Sequence, residues 1–146
     1  MEKRPDKILV IDDEPGMCRS LYDLLTGSKY NVTTSQSGHD AIARLKEDSF
    51  DLVLTDIKMP EISGLDILRE IREIDPEIIV ILMTGYASLE SALDAIKNGA
   101  FEYLLKPVEY TQLEISIRRG LEKRESSLAR KQLLEDLKHD NIHLNM

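Results

Sequence analysis

Three aspartates, a threonine and a lysine stand in this chain where phosphoryl chemistry would want them. Asp12 and Asp13 end the apolar run Ile8-Leu9-Val10-Ile11. Asp56 ends Leu52-Val53-Leu54-Thr55, Thr84 ends Ile78-Ile79-Val80-Ile81-Leu82-Met83, and Lys106 follows Phe101-Glu102-Tyr103-Leu104-Leu105. Crowded carboxylates oppose one another's ionisation, so the cluster predicts a cation. A hard divalent ion such as Mg2+ takes oxygen ligands and keeps several waters, and two carboxylates plus phosphoryl oxygens suffice for it. A carboxylate can also accept a phosphoryl group, giving an aspartyl phosphate. Asp56 is the best nucleophile, because it ends the central run and precedes the loop Ile57-Lys58-Met59-Pro60. The metal and a lysine would neutralise the phosphoryl oxygens, and Lys106 is that lysine. Thr84 offers a hydroxyl donor, with Gly85 leaving space beside it. The Lys106–Pro107 bond is a candidate for the cis form and a sharp turn.

Each signal alone has a plainer meaning. An Asp after a strand is often a cap or turn residue. Lys-Pro is a common turn, Thr-Gly is weak, and Tyr103 by itself suggests packing. Their common position is what matters, and it follows from the elements that carry them. The apolar runs, with Tyr30-Asn31-Val32-Thr33-Thr34 as a further strand, alternate with helical patterns. Met17, Leu21, Leu24 and Leu25 share one helix face, closed by Gly27. Ser37-Gly38-His39 opens a helix with Ala41, Ile42 and Leu45 inward. Ser63-Gly64 precedes one with Ile67, Ile71 and Ile74 on a face, ended before Asp75-Pro76. Ser88 caps a helix carrying Ala92, Ala95 and Ile96 that stops at Asn98-Gly99. Thr111 leads the last, with Leu113, Ile117 and Leu121. Strand-helix units repeated in this way imply a parallel sheet covered on both faces. Its strand ends lie at one edge, outside which ligands bind. The polar second strand suits a sheet edge.

Composition excludes several classes. The chain has 146 residues, enough for one domain and a short appendage. Lys and Arg number 19 against 27 Asp and Glu, a formal charge of -8, which argues against gripping nucleic-acid phosphates. No apolar run approaches the roughly 18 residues of a membrane span. The start, Met1-Glu2-Lys3-Arg4-Pro5-Asp6, lacks the apolar stretch of a secretory signal. Cys18 is the sole cysteine, without a partner for a disulfide, and reads as a semi-buried small residue rather than a nucleophile. The cytoplasm is the expected compartment.

These motifs resemble, in order, the receiver domain of two-component response regulators. Leu9-Val10-Ile11-Asp12-Asp13-Glu14-Pro15 is similar to its acidic pair. Asp51 to Pro60 is similar to its phosphoacceptor strand and Met-Pro loop, Ile81 to Tyr86 to its threonine switch, and Phe101 to Pro107 to its aromatic switch and Lys-Pro. The resemblance covers about residues 6 to 124. It implies a flavodoxin-like doubly wound α/β fold with five parallel strands in order 2-1-3-4-5. It also implies phosphoryl transfer from a histidine kinase's phosphohistidine to Asp56, with Mg2+ held by Asp12, Asp13, Asp56 and the Lys58 carbonyl. Thr84 and Tyr103 would be the switch residues, and the chain would catalyse only its own phosphorylation and dephosphorylation. Met83-Thr84-Gly85-Tyr86-Ala87-Ser88 and Asn98 to Tyr103 look most like receivers of the nitrogen-regulator type, which precede an ATPase working with an alternative sigma factor. Ser63-Gly64 departs from the more frequent Asp-Gly. No Walker motif, helix-turn-helix or basic patch is present, so either the chain is a fragment cut inside a linker or it works alone through protein contacts.

Residues 125–146 form the expected appendage after a receiver spanning 1–124. From Leu113 to about Leu137 the residues favour helix. Ser127, Leu134, Asn141 and Arg130, Leu137, Leu144 fall at seven-residue steps, and Leu121 and Leu128 make another in a different register. This is short of clean heptads. It leaves open a dimerising helix with Arg124 and Lys131 intruding, or a solvated linker. Homodimer contacts are expected through the fourth helix to fifth strand face or through this helix. Two other functions are weaker. A dehalogenase-like Asp-nucleophile phosphatase would show Asp-x-Asp, which Asp56-Ile57-Lys58 lacks. A flavin or nucleotide binder would need a Gly- or Ser/Thr-rich first loop, where Asp12-Asp13-Glu14-Pro15 repels phosphate.

Overall fold

A computed structural model describes residues 4–86 and 88–144. β1 (Lys7–Ile11), β2 (Asn31–Ser35), β3 (Leu52–Asp56), β4 (Ile79–Thr84) and β5 (Glu102–Leu105) alternate with α1 (Pro15–Gly27), α2 (Gly38–Glu47), α3 (Gly64–Ile74), α4 (Leu89–Lys97) and α5 (Tyr110–Leu144). All neighbouring strands pair in parallel, in the order β2-β1-β3-β4-β5. The expected flavodoxin-like topology is therefore present, with β2 at an edge.

The sheet is buried on both faces because side chains alternate along each strand. Leu9, Ile11, Val53, Val80 and Leu82 face Ala41, Leu45, Ile67, Leu68, Ile71 and Ala95 of α2, α3 and α4. Ile8, Val10, Leu52, Leu54, Ile79, Ile81 and Met83 face Leu21 and Leu25 of α1 and Leu113 and Ile117 of α5. Each such aliphatic side chain contributes about 1.5–3 kcal/mol through burial. Register carries this order to the carboxyl edge: Ile11 lies opposite Thr55, Asp56 opposite Met83, and Thr84 opposite Leu105. Asp12 and Lys106, the next residues along, are thus placed beside Asp56 and Thr84.

Helix starts follow their caps. The hydroxyls of Ser37, Ser63 and Ser88 accept from the amides of Asp40, Asp66 and Ser91. Ser63 and Asp66 form a full capping box. Three apolar residues expected or grouped with the helix faces point outward instead: Leu24, Ile74 and Ile96 are exposed. Gly27 ends α1, but the left-handed residue beyond it is Lys29, with φ 71. α5 begins at Tyr110 and continues unbroken past the domain body. In that extension Leu133, Leu134 and Leu137 are exposed, while the side chains of Asn141 and Leu144 lie outside the described residues. No helix among the described residues is long and apolar enough to cross a membrane.

Candidate functional site

β1, β3 and the β5–α5 turn deliver four charged side chains to one place. The Lys106 ammonium donates to Asp12 Oδ2 at 2.8 Å and to Asp56 Oδ2 at 3.0 Å. One oxygen from each of Asp12, Asp13 and Asp56 lies within 4.8 Å of the others. Asp12 is wholly buried and Asp56 7% exposed, whereas Asp13 reaches the rim. Burial pulls the Lys106 pKa down, but the hydrogen bonds and charges of Asp12 and Asp56 more than offset this, so it ends above the ordinary lysine value.

Local backbone contacts fix these groups. The Asp12 amide donates to the Ser35 carbonyl at 3.1 Å, and Asp12 Oδ1 accepts from the Glu14 amide at 3.0 Å. The Ile57 amide donates to Met83 O at 3.1 Å and the Lys106 amide to Thr84 O at 2.8 Å, binding β3, β4 and the last turn together. The Lys106–Pro107 bond is cis, as the sequence suggested. Gly64, whose amide donates to Ile57 O at 2.8 Å, sits directly against β3. A Cβ there would lie 2.2 Å from the Asp56 carbonyl oxygen.

The side chains of Thr84, Tyr103 and Lys58 make contacts outside the acidic cluster. The buried Thr84 hydroxyl accepts from the Tyr86 amide at 3.1 Å and donates to the Tyr86 carbonyl at 3.4 Å. Tyr103 is half-buried against the α2–α4 side of the core, and its hydroxyl is bonded to Ser91 Oγ of α4 at 2.8 Å. Lys58 is exposed, its ammonium 4.0 Å from the centre of the Tyr86 ring. Cys18 is buried, its thiol donating to the Asp12 carbonyl at 3.2 Å. Burial first, then the Asp12 charge, pushes that thiol up.

Sequence reasoning missed Ser91 and misjudged Arg124. Nothing in the spacing of Ser91 marks it beyond its place in the first turn after a cap. Arg124, read as an intruder in the helical repeat, instead turns inward. Its Nε donates to Asp51 Oδ1 at 3.1 Å and its Nη1 lies 3.8 Å from Asp75 Oδ2.

An all-oxygen set of three carboxylates, compensated by one ammonium, suits a hard divalent cation, and these residues fit Mg2+ on that ground. Family comparison agrees with the architecture. The model of the response regulator receiver domain matches residues 8–118. The transcriptional regulatory protein ZraR of Salmonella typhimurium is 43% identical over 114 residues, 78% of this chain and 26% of that protein. GlrR of Escherichia coli is 34% identical over 122 residues, 84% of this chain and 28% of that protein. The chain thus spans about a quarter of the length of these curated relatives. Among solved structures, a receiver domain from Clostridium thermocellum superposes with TM-score 0.77 at 43% identity, covering 88% of this chain and 98% of that one. The beryllofluoride-activated NtrC4 receiver domain dimer gives 0.77 at 32% identity, covering 81% and 98%. With the motifs, the strand order and the acidic cluster all in the expected places, the chain belongs to the response regulator receiver domain family.

Proposed function

We propose that this chain is a phosphorylation-operated switch in which Asp56 takes a phosphoryl group from the phosphohistidine of a sensor histidine kinase. The supporting observation is the Lys106 ammonium spanning Asp12 and Asp56 with Asp13 in reach. An Asp56 carboxylate oxygen forms the new P–O bond as the P–N bond of phosphohistidine breaks, and the imidazole leaves with a proton from solvent. Asp12, Asp13, Asp56 and the Lys58 carbonyl would hold Mg2+, which when bound neutralises charge on the phosphoryl oxygens. Lys106 supplies a second, fixed cation at the same place, pre-positioned by its two hydrogen bonds. Thr84 turns its hydroxyl from Tyr86 to a phosphoryl oxygen, and Tyr103 gives up Ser91 and moves into the space left. The chain catalyses only its own phosphorylation and dephosphorylation.

The output follows from the relatives, which are transcriptional regulatory proteins. Residues 1–124 act as the receiver in the cytoplasm and 125–146 as a helical linker. This segment makes no direct contact with nucleic acid. The surface from α4 to β5, or α5 itself, meets a second copy, as the dimeric NtrC4 receiver suggests.

The test is phosphate uptake from acetyl phosphate with Mg2+. Wild type gains one base-labile phosphate, chelation abolishes uptake, and Asp56→Asn gains none. Equal uptake by Asp56→Asn would overturn the assignment.

A further inference from the structure

A contact outside the acidic cluster joins the loops that leave β3 and β4. Lys58 stands two residues past Asp56, and Tyr86 two past Thr84. The Lys58 ammonium lies 4.0 Å from the centre of the Tyr86 ring. Tyr86 is 71% exposed, so packing against the core does not orient its ring. The backbone of the same Tyr86 holds the Thr84 hydroxyl from both sides, its amide donating at 3.1 Å and its carbonyl accepting at 3.4 Å. Lys58, Tyr86 and Thr84 therefore form one chain of contacts linking the loops after β3 and β4.

We propose that Lys58 and Tyr86 are positioning residues: their pairing latches the Thr84 hydroxyl in its loop while Asp56 is unphosphorylated. The consequence for signalling rests on the reading of Asp56 as the acceptor; the latch itself does not. For the Thr84 hydroxyl to reach a phosphoryl oxygen, both of its bonds to Tyr86 must break, and in the latch the Tyr86 segment shifts as they do. A ring held by a cation resists that shift. An exposed cation–π contact changes such an equilibrium by about two- to fivefold. The same ammonium is also the release. A phosphoryl group on Asp56 adds negative charge two residues before Lys58, and a full anionic charge competes with the ring quadrupole for the cation. Phosphorylation thus removes the contact that opposed the threonine's movement, and only such a difference between two states can shift their populations.

The test compares Tyr86→Leu, Lys58→Met, the double variant and Tyr86→Phe. Amide resonances of Thr84 and Tyr103 are followed by NMR without phosphodonor, then with Mg2+ and acetyl phosphate. Tyr86 lies at the surface, so its variants are expected to fold. In both single variants the two resonances should move in the direction that phosphorylation moves them in wild type. The double variant should move no further than the larger single. Tyr86→Phe keeps the ring and should stay with wild type. Tyr86→Leu leaves every charge in place and should take phosphate from acetyl phosphate about two- to fivefold faster. Unmoved resonances, single shifts that add in the double variant, an unchanged rate in Tyr86→Leu, or Tyr86→Phe matching Tyr86→Leu would each overturn the latch. If wild type takes up no phosphate at Asp56, the acceptor reading fails, while the non-additivity of the pair still decides the latch.

Discussion

Asp12 is wholly buried, and its neutralising partner is Lys106. Breaking a buried ion pair from one side leaves a charge without compensation, so Lys106→Met should destabilise the metal-free fold by roughly 1–3 kcal/mol. The partial exposure of Lys106 and Asp56 argues for the lower part of that range. Asp13→Asn should act oppositely, raising the melting temperature without Mg2+, because three carboxylates face one ammonium. Its stabilisation by added Mg2+ should shrink, and calorimetry with and without chelator reads both effects. pH gives a further check. The folded pKa of Lys106 lies above its unfolded value, so its contribution is complete below the ordinary lysine pKa of about 10.4 and is lost as pH rises through the folded value. Stability of wild type relative to Lys106→Met should therefore fall as pH rises through that alkaline window. These charged residues were legible in the sequence because each ends an apolar run. Ser91 was not, because a serine in a first turn after a cap looks like any other until the Tyr103 hydroxyl is seen 2.8 Å away.

The β3–α3 connection shows how an element holds a reacting group. α3 begins at Gly64, which is pressed against the end of β3, and Gly64→Ala would place a Cβ 2.2 Å from Asp56 O and 2.9 Å from Ile57 Cα. Backbone cannot rotate away as a side chain can, so β3 or α3 must shift, at about 1–3 kcal/mol. Mg2+ affinity should fall with stability, since Asp56 moves too. Gly16, in the first turn of α1, has nothing within 4 Å of its Cβ position, and Gly16→Ala should be neutral or stabilising by up to about 1 kcal/mol. Denaturant titration of the two variants separates crowding from propensity. The strands were readable because doubly buried strands are continuous apolar runs. Helix faces were less so. Leu24, Ile74 and Ile96 continue their apolar stripes by spacing, yet they stay exposed. Periodicity names a face without saying how far the partner surface extends.

At the scale of the whole molecule, α5 belongs to two environments. Leu113 and Ile117 are core residues, whereas Leu133, Leu134 and Leu137 are exposed. The heptad pattern appeared broken at Arg124 because Arg124 serves the receiver body, not the extension. A cleft lined by Asp6, Asp51, Leu121, Arg124, Glu125 and Leu128 lies where the extension leaves the receiver body. The discriminating truncation therefore ends at Ala129, beyond these contacts. If the exposed leucines bind a second copy, the full chain should sediment as a dimer at micromolar concentration and the truncated chain as a monomer; equal states make residues past Ala129 a plain linker. Arg124 also gives β3 a role at its other end. The strand begins just after Asp51, which Arg124 holds, and finishes at Asp56. The helix rooted there runs roughly 30 Å further to Leu144 at about 1.5 Å per residue. It is thus a lever arm with its fulcrum at the Asp51–Arg124 joint. At that length, each degree of tilt would displace the tip by roughly half an ångström, so a tilt of about ten degrees would carry the far end by about one helical turn's rise.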